Sequence, residues 1–483
     1  MVLAVDIWLL IIAGTSLGII VGIIPGLDSM TCIALLLPLT FYMQPLNALV
    51  FLSSIYVSVM FGGELTATLL NTPGGEENLC TTLDGFPMTC RGQAGEALGL
   101  GIGSSVVGGV ISYIFLLVSA APVARFAMKF GPTEMFLIAL TGIIFIAALR
   151  GESLAKGLLA GAFGLLIGGV GIAPTGEWRA TFGQMYLSDG VPFVPAMIGL
   201  IAVAELFVIA ERDLVAPATT VSDVSFRRIL RGMRWVFEYP GTIIRSSLLG
   251  IIIGAIPGTG ATVGSAVSYN LTKRLSKTPE KFGTGFPPGI IAAETANNAT
   301  TGGALMTTLM LGVPGSGTCA LLLGAMTMQG IHPGPQILRE QSDLVYGIAF
   351  ALLLSQVLMV IMAAVGGYFL AYLLFVPTAT LVPVVVLYCM IGSLAIRSTE
   401  FDVFLMGIFG VVGWLMVRTG FPPIAMVLGV ILGPIADAEL VRSSMRYGDQ
   451  FYFYFFSRPL SLVLTVVIVA VLVAPYVRSR YVR

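Results

Sequence analysis

The strongest constraint on this chain is a set of helix breakers that occurs twice, about 240 residues apart, inside long apolar runs. The first set reads Pro25-Gly26, Gly62-Gly63 and Thr72-Pro73-Gly74. The second reads Pro257-Gly258, Gly302-Gly303 and Val313-Pro314-Gly315. Proline removes a backbone donor, and glycine lets the chain turn. In lipid, an interrupted helix survives only where protein or a watery cavity surrounds it. Matched interruptions in two halves of a membrane chain therefore point to a solute pathway.

The surrounding composition makes the membrane reading firm. Hydrophobic residues are 57% of the 483, and charged residues only 10%, against about 25% in soluble proteins. Apolar runs such as 98–121, 136–149, 154–174, 345–375 and 460–474 recur from end to end. The expected fold is an all-α polytopic membrane protein with roughly 10–12 spans, some of them Pro-Gly-interrupted or re-entrant, and no soluble domain. The N-terminus lacks the basic start of a signal peptide and runs into Ile7–Ile24, which reads as a first membrane segment. Arg212, Arg227, Arg228, Arg231 and Arg234, and again Arg478, Arg480 and Arg483, mark cytoplasmic stretches.

Further matches run in the same order through both halves. Phe130-Gly131-Pro132-Thr133 corresponds to Phe375-Val376-Pro377-Thr378, and Ala204-Glu205-Leu206 to Ala438-Glu439-Leu440. The expected organisation is a transmembrane repeat over 1–210 and a cytoplasmic polar linker over 211–240, with an amphipathic piece around Phe226–Phe237. A second repeat follows over 241–440, then an appended helix and tail over 441–483. Counting spans back from the basic stretches puts Thr133 and Thr378 on opposite sides, so the repeats have inverted topology. Lys273, Arg274, Lys277 and Lys281 fit the same side rule if 241–272 forms a re-entrant hairpin with Pro257-Gly258 at its tip. A single broken crossing is the alternative.

Enzymatic and nucleic-acid chemistry find little support. His332 is the lone histidine, and Cys32, Cys80, Cys90, Cys319 and Cys389 are scattered without metal-ligand spacing. No P-loop and no basic, aromatic-interleaved patch is present. The polar groups at the breaks suit a transported solute instead. Backbone amides and hydroxyls at Asn71, Thr72, Gly74, Gly75, Gly315 and Ser316 are candidate contacts for a carboxylate. The run Glu294-Thr295-Ala296-Asn297-Asn298-Ala299-Thr300-Thr301 is very polar for an apolar segment, and Asn297 and Asn298 join the substrate candidates. Candidate cation ligands, for a Na+ and no other metal, are Pro25, Gly26, Asp28, Ser29, Pro257, Gly258, Thr259, Thr262 and Thr300. Asp28 with Glu294 is the one pairing that an intramembrane enzyme would use.

These motifs resemble the large membrane subunit of the tripartite tricarboxylate transporter family. Gly22-Ile23-Ile24-Pro25-Gly26, Phe61-Gly62-Gly63, Asn71-Thr72-Pro73-Gly74 and Asp84-Gly85-Phe86-Pro87 carry the likeness in the first half. Gly254-Ala255-Ile256-Pro257-Gly258-Thr259-Gly260, Glu294-Thr295-Ala296-Asn297-Asn298-Ala299 and Gly312-Val313-Pro314-Gly315 carry it in the second. The resemblance implies a multi-pass permease of the bacterial inner membrane that takes up small organic anions, citrate-like carboxylates among them, driven by Na+ or H+. It implies a small membrane subunit and a periplasmic solute-binding protein as partners, no cofactor, and leaves homo-oligomerisation open. A stand-alone organic-anion transporter is the neighbouring reading. Two residues depart from the family pattern: Asp28 stands where glycine is usual, and Glu64 where a small polar residue is usual.

Overall fold

The computed structural model describes residues 5–24, 27–150, 153–210, 224–370 and 378–481. The Pro25-Gly26 turn, Phe375-Val376-Pro377 and the first part of the expected linker lie outside the described residues. Among the described residues the regular structure is all helix apart from one short hairpin, Gly171–Ile172 paired with Trp178–Arg179. In the first half the helices are α1 (Val5–Gly22), α2 (Ser29–Leu36), α3 (Pro45–Leu70), α4 (Leu79–Cys90), α5 (Ala94–Ala127), α6 (Pro132–Arg150) and α7 (Leu154–Gly168). They are followed by α8 (Phe193–Met197), a π-helical turn over Ile198–Val203, and α9 (Ala204–Ala210). The second half holds α10 (Phe226–Val236), α11 (Pro240–Ala255), α12 (Gly260–Leu275), α13 (Pro287–Leu311), α14 (Gly317–Met328), α15 (Ile337–Glu340) and α16 (Ser342–Leu370). It ends with α17 (Thr378–Arg397), α18 (Glu400–Arg418), α19 (Pro423–Tyr447), α20 (Phe451–Ser457) and α21 (Pro459–Tyr481). Among the described residues six helices are long and apolar enough to cross a membrane, or up to eight if the bent pairs α10–α11 and α20–α21 count as spans. The other apolar segments expected to cross are shorter helices, including α6, α7 and α14.

The halves are built alike because the same small residues recur. Gly14, Gly18 and Gly22 form a stripe on α1 that lets α3 approach; a Cβ on Gly22 would fall 2.2 Å from the Val59 carbonyl. Gly250 and Gly254 do the same on α11, where a Cβ on Gly254 would fall 2.1 Å from the Thr300 carbonyl of α13. Such stripes replace the hydrophobic drive that helices lack in lipid. Both long helices open on a proline, Pro45 or Pro287, and close on a left-handed residue, Asn71 or Gly312. Contacts between the halves are reciprocal. α5 packs on α13 while α16 packs on α3; α6 and α7 pack on α19 while α17 and α18 pack on the π turn and its flanking helices. Reciprocity of this kind marks a two-fold relation.

Two expectations change here. Gly62-Gly63 and Gly302-Gly303 do not break their helices. They sit within α3 and α13, where α1 or α5 and α11 press on the backbone: a Cβ on Gly62, Gly302 or Gly303 would come within 2.7 Å of a carbonyl on the facing helix, and one on Gly63 would meet the Asn78 side chain at 2.5 Å. Their register also differs by one from the sequence match. Gly74 rests on Gly63 as Gly315 rests on Ala304, so Gly62 is the counterpart of Gly303. The other change resolves an alternative. Ser268 donates to Ser246 at 2.8 Å, and Arg245 donates to Thr272 at 3.1 Å. The start of α11 therefore lies beside the end of α12, and the two form a hairpin with Pro257-Gly258 at its tip.

The amphipathic piece is α10, which docks on α5 through a close glycine contact between Gly99 and Gly232. Arg228 and Arg231 reach the buried Glu96 at 3.2 Å. α21 is tied to α6 by Glu134, which accepts from Arg458 at 3.0 Å and Ser461 at 2.6 Å.

Candidate functional site

Three helices from both halves begin at one small cavity. α2 starts at Ser29, α12 at Gly260 and α14 at Gly317, and all three starts line a space of about 30 Å³, room for a water or a bare ion. First-turn N–H groups have no partner within their own helix, and the helix dipole is positive there, so the arrangement favours negative charge. Asp28 caps α2 by accepting from the Thr31 amide at 2.8 Å. Ser316 caps α14 by accepting from the Cys319 amide at 3.1 Å. Ser29 shares a 2.9 Å hydrogen bond with Thr318, and Tyr56 a 3.3 Å bond with Ser316. Each of these bonds joins the first half to the second. Asp28 and Glu77 add carboxyl groups to the lining, and among the described residues no basic side chain lines the cavity.

A wider open cleft of about 530 Å³ shares Asp28, Met30 and Ile424 with the cavity. Thr72, Pro73, Gly74 and Gly75 line it together with Leu200, Ile201, Ala204, Glu205, Pro422 and Pro423. The cavity and the cleft therefore adjoin at Asp28, Met30 and Ile424.

Several expected site residues meet here: Asp28, Ser29, Gly258, Thr262 and Ser316 line the cavity, and Thr72, Gly74 and Gly75 line the cleft. Pro25 and Gly26 lie outside the described residues. Others do different work. The Gly74 amide donates to the Gly63 carbonyl at 3.3 Å, and the Gly315 amide to the Thr308 hydroxyl at 3.3 Å. Neither is left for a carboxylate, because both glycines are pressed against a neighbouring helix backbone. Asn71 is the left-handed cap of α3, with φ 56°. The Thr259 hydroxyl donates to the Ile253 and Ile256 carbonyls at 2.5 and 3.0 Å, so the carbonyls freed at the Pro257 break are satisfied without an ion. Thr300 donates to the Asn297 carbonyl at 2.6 Å and packs on Gly264. Pro257, Asn297 and Asn298 line neither space. Asn297 donates to Glu294, while both polar atoms of the Asn298 amide are buried without a partner.

The sequence reading passed over Tyr56 and Glu77. Glu77 follows Pro73-Gly74-Gly75, so proximity to a break was the available signal. Tyr56 lies deep in an apolar stretch and gives none. Asp28 and Glu294, the enzyme alternative, share no hydrogen bond. Glu294 instead accepts from Thr81, Ser105, Asn297 and Asn78. The Asp84-Gly85-Phe86-Pro87 motif is structural: Asp84 accepts from the amides of Gly283, Gly285 and Phe286 at 2.8–3.0 Å and from Tyr269 at 2.8 Å, fixing the turn before α13.

Broken helices from two related halves, meeting at a polar cavity inside an apolar bundle, are the construction of a membrane transporter. The chain belongs to the tripartite tricarboxylate transporter TctA family, which matches residues 8–428. It is 35% identical over 477 residues to an uncharacterized 52.8 kDa protein in the TAR-I ttuC' 3' region of Agrobacterium vitis, covering 97% of this chain and 93% of that one. An uncharacterized protein in the TAR-II ttuC' 3' region of the same organism is 33% identical over 235 residues, 48% of this chain and 96% of that one. No solved structure matches the chain.

Proposed function

We propose that this protein is the permease subunit of a cation-coupled uptake system for small organic carboxylates, tricarboxylates among them, in the bacterial inner membrane. It works with a small membrane subunit and a periplasmic solute-binding protein, and it is not an enzyme. Family membership supports the tripartite assembly. The observation that carries the chemistry is the meeting of the α2, α12 and α14 starts at one hydroxyl-lined cavity. Amides and hydroxyls of Ser29, Thr262, Ser316 and Thr318 hold a substrate carboxylate. Asp28 and Glu77 face the same space, so an anion enters with a compensating cation. Each then favours the other, and the coupling is reciprocal.

The 30 Å³ cavity is too small for a citrate-sized anion, and the 530 Å³ cleft beside it is not. The carboxylate therefore enters the cavity while the rest of the substrate occupies the cleft. Oppositely oriented repeats then expose the site to each side in turn.

The test is uptake of radiolabelled citrate by cells producing the chain with its partner subunits, under imposed Na+ or pH gradients. Uptake that rises with one gradient, and is lost in Thr318→Val with membrane insertion intact, is expected. Uptake of citrate, tartrate and succinate indifferent to both gradients would remove the coupling.

A further inference from the structure

Behind the Thr72-Pro73-Gly74 break, two acidic residues face inward from the two long helices α3 and α13. Glu64 on α3 is fully buried, and neither carboxyl oxygen has a hydrogen-bond partner. It occupies the space that a side chain on α5 would take: a Cβ on Gly101 would fall 1.4 Å from Glu64 Oε1. Glu294 on α13 is equally buried and is held by Thr81, Ser105, Asn297 and Asn78. Gly101 and Ser105 lie one turn apart on α5, so the two carboxyls meet neighbouring positions on one face of that helix. Around them α5 supplies the Ser105 hydroxyl and bare glycine, α4 with its entry turn supplies Thr81 and Asn78, and Cys80 packs on the cluster of Tyr269, Phe282 and Ala293 beside them. Among the described residues no Lys, Arg or His pairs with either carboxyl. Neighbouring carboxylates without a counter-charge cannot both stay ionised where water is excluded.

We propose that Glu64 and Glu294 form a proton-binding pair, carrying one proton through the transport cycle. This deepens the uptake reading and rests on it only for the word transport. A sodium ion needs several oxygens arranged around a space. Glu64 is instead pressed on helix backbone, and neither the cavity nor the cleft reaches the pair. A proton needs no such cage. Loading forms one O–H bond on a carboxyl oxygen; release breaks it and returns the proton to water, with no change in oxidation state.

The pair is wired to the substrate space at two points. Glu294 holds Asn78, the neighbour of Glu77 in the cavity wall. Glu64 follows Gly63, whose carbonyl holds the Gly74 amide of the cleft wall. Charge on the pair therefore acts directly on the backbone that shapes the site.

The experiment is infrared spectroscopy of the purified full-length protein across pH, without any carboxylate substrate present. The expected result is a protonated-carboxyl stretch at neutral pH that disappears on alkalinisation and is absent from Glu64→Gln, where Glu294 alone keeps its four donors and ionises. No such band in the wild type, or an unchanged band in Glu64→Gln, would overturn the proposal. If Glu64→Gln fails to give a monodisperse protein, Ser105→Ala takes its place: a shifted band supports the pair, and an unshifted one removes it. Replacing choline chloride by sodium chloride gives a third arm, in which loss of the band means that sodium holds the site and the proposal fails. Citrate uptake is read separately. A band without uptake of any carboxylate sinks the transport reading and leaves the proton site; uptake without the band does the reverse.

Discussion

Replacing Gly315 by alanine tests the close packing behind the break. A Cβ there would lie 2.4 Å from the Ala304 Cα, 2.7 Å from its Cβ and 2.7 Å from the Gly254 carbonyl oxygen. Ordinary contact begins near 3.4 Å, so two helices have to separate by roughly 1 Å, and what blocks the methyl is largely backbone that cannot rotate away. Overpacking of this kind costs about 1–3 kcal/mol, and the backbone contacts place Gly315→Ala near the upper end. The move pushes α11 away from α14 and shifts the cavity wall at Ser316. Gly74 is its counterpart, with a Cβ 2.3 Å from the Gly63 Cα and 2.7 Å from the Gly22 carbonyl, so Gly74→Ala carries a matching penalty. Gly407, with nothing within 4 Å of a built Cβ, is the control: alanine there stabilises the helix by about 0.5–1 kcal/mol. The assay is thermal unfolding of the purified protein beside citrate uptake in cells. Both break variants lose stability together and lose uptake at least tenfold, by about 1.4 kcal/mol of site free energy, while Gly407→Ala loses neither. Wild-type behaviour of Gly315→Ala, or a large effect at only one of the paired glycines, would refute the reasoning.

Other perturbations follow from single contacts. Thr259→Val removes the hydroxyl bonds to the Ile253 and Ile256 carbonyls, which keep their backbone donors Ile256 and Thr259, and costs about 0.5–1.5 kcal/mol, read as a lower unfolding midpoint with sodium and choline alike; a midpoint that falls only in sodium would instead make Thr259 a cation ligand. Asp84→Ala releases three amides and the Tyr269 hydroxyl; it lowers stability by about 3 kcal/mol or more and exposes the turn over 283–286 to protease. Ser29→Ala and Thr318→Val remove the two sides of one bond, so their effects on citrate affinity fall short of additive by about 0.5–1.5 kcal/mol; full additivity would contradict that bond.

The breaks at Pro73-Gly74, Pro257-Gly258 and Pro314-Gly315 were legible in the sequence because proline and glycine interrupt helices whatever surrounds them. The role of Gly62-Gly63 was not legible, since a glycine pair looks the same whether it ends a helix or lets another one cross it. The fate of freed backbone groups was hidden for a related reason. The Gly74 amide is spent on Gly63 and the Ile253 carbonyl on Thr259, and both partners are chosen by tertiary packing. The hairpin of α11 and α12 was one of two options until Ser246 met Ser268 and Arg245 met Thr272. Tyr56 stayed invisible because an aromatic residue in an apolar run gives no sign of where its hydroxyl points. Asp84 read as part of a motif, but only the three amides it gathers reveal that the motif holds a turn.

The account depends on interrupted backbone from both halves jointly enclosing the transported anion. Cysteines placed at Ser29 and Thr318, in a background free of the five native cysteines, measure this most directly, because the hydroxyls at these positions meet at 2.9 Å and thiols in their place face each other. Rapid oxidative cross-linking in native membranes, slowed by citrate or another transported carboxylate and blocking uptake once formed, is the predicted result. A pair that does not cross-link, or one whose cross-link leaves uptake intact, would contradict it.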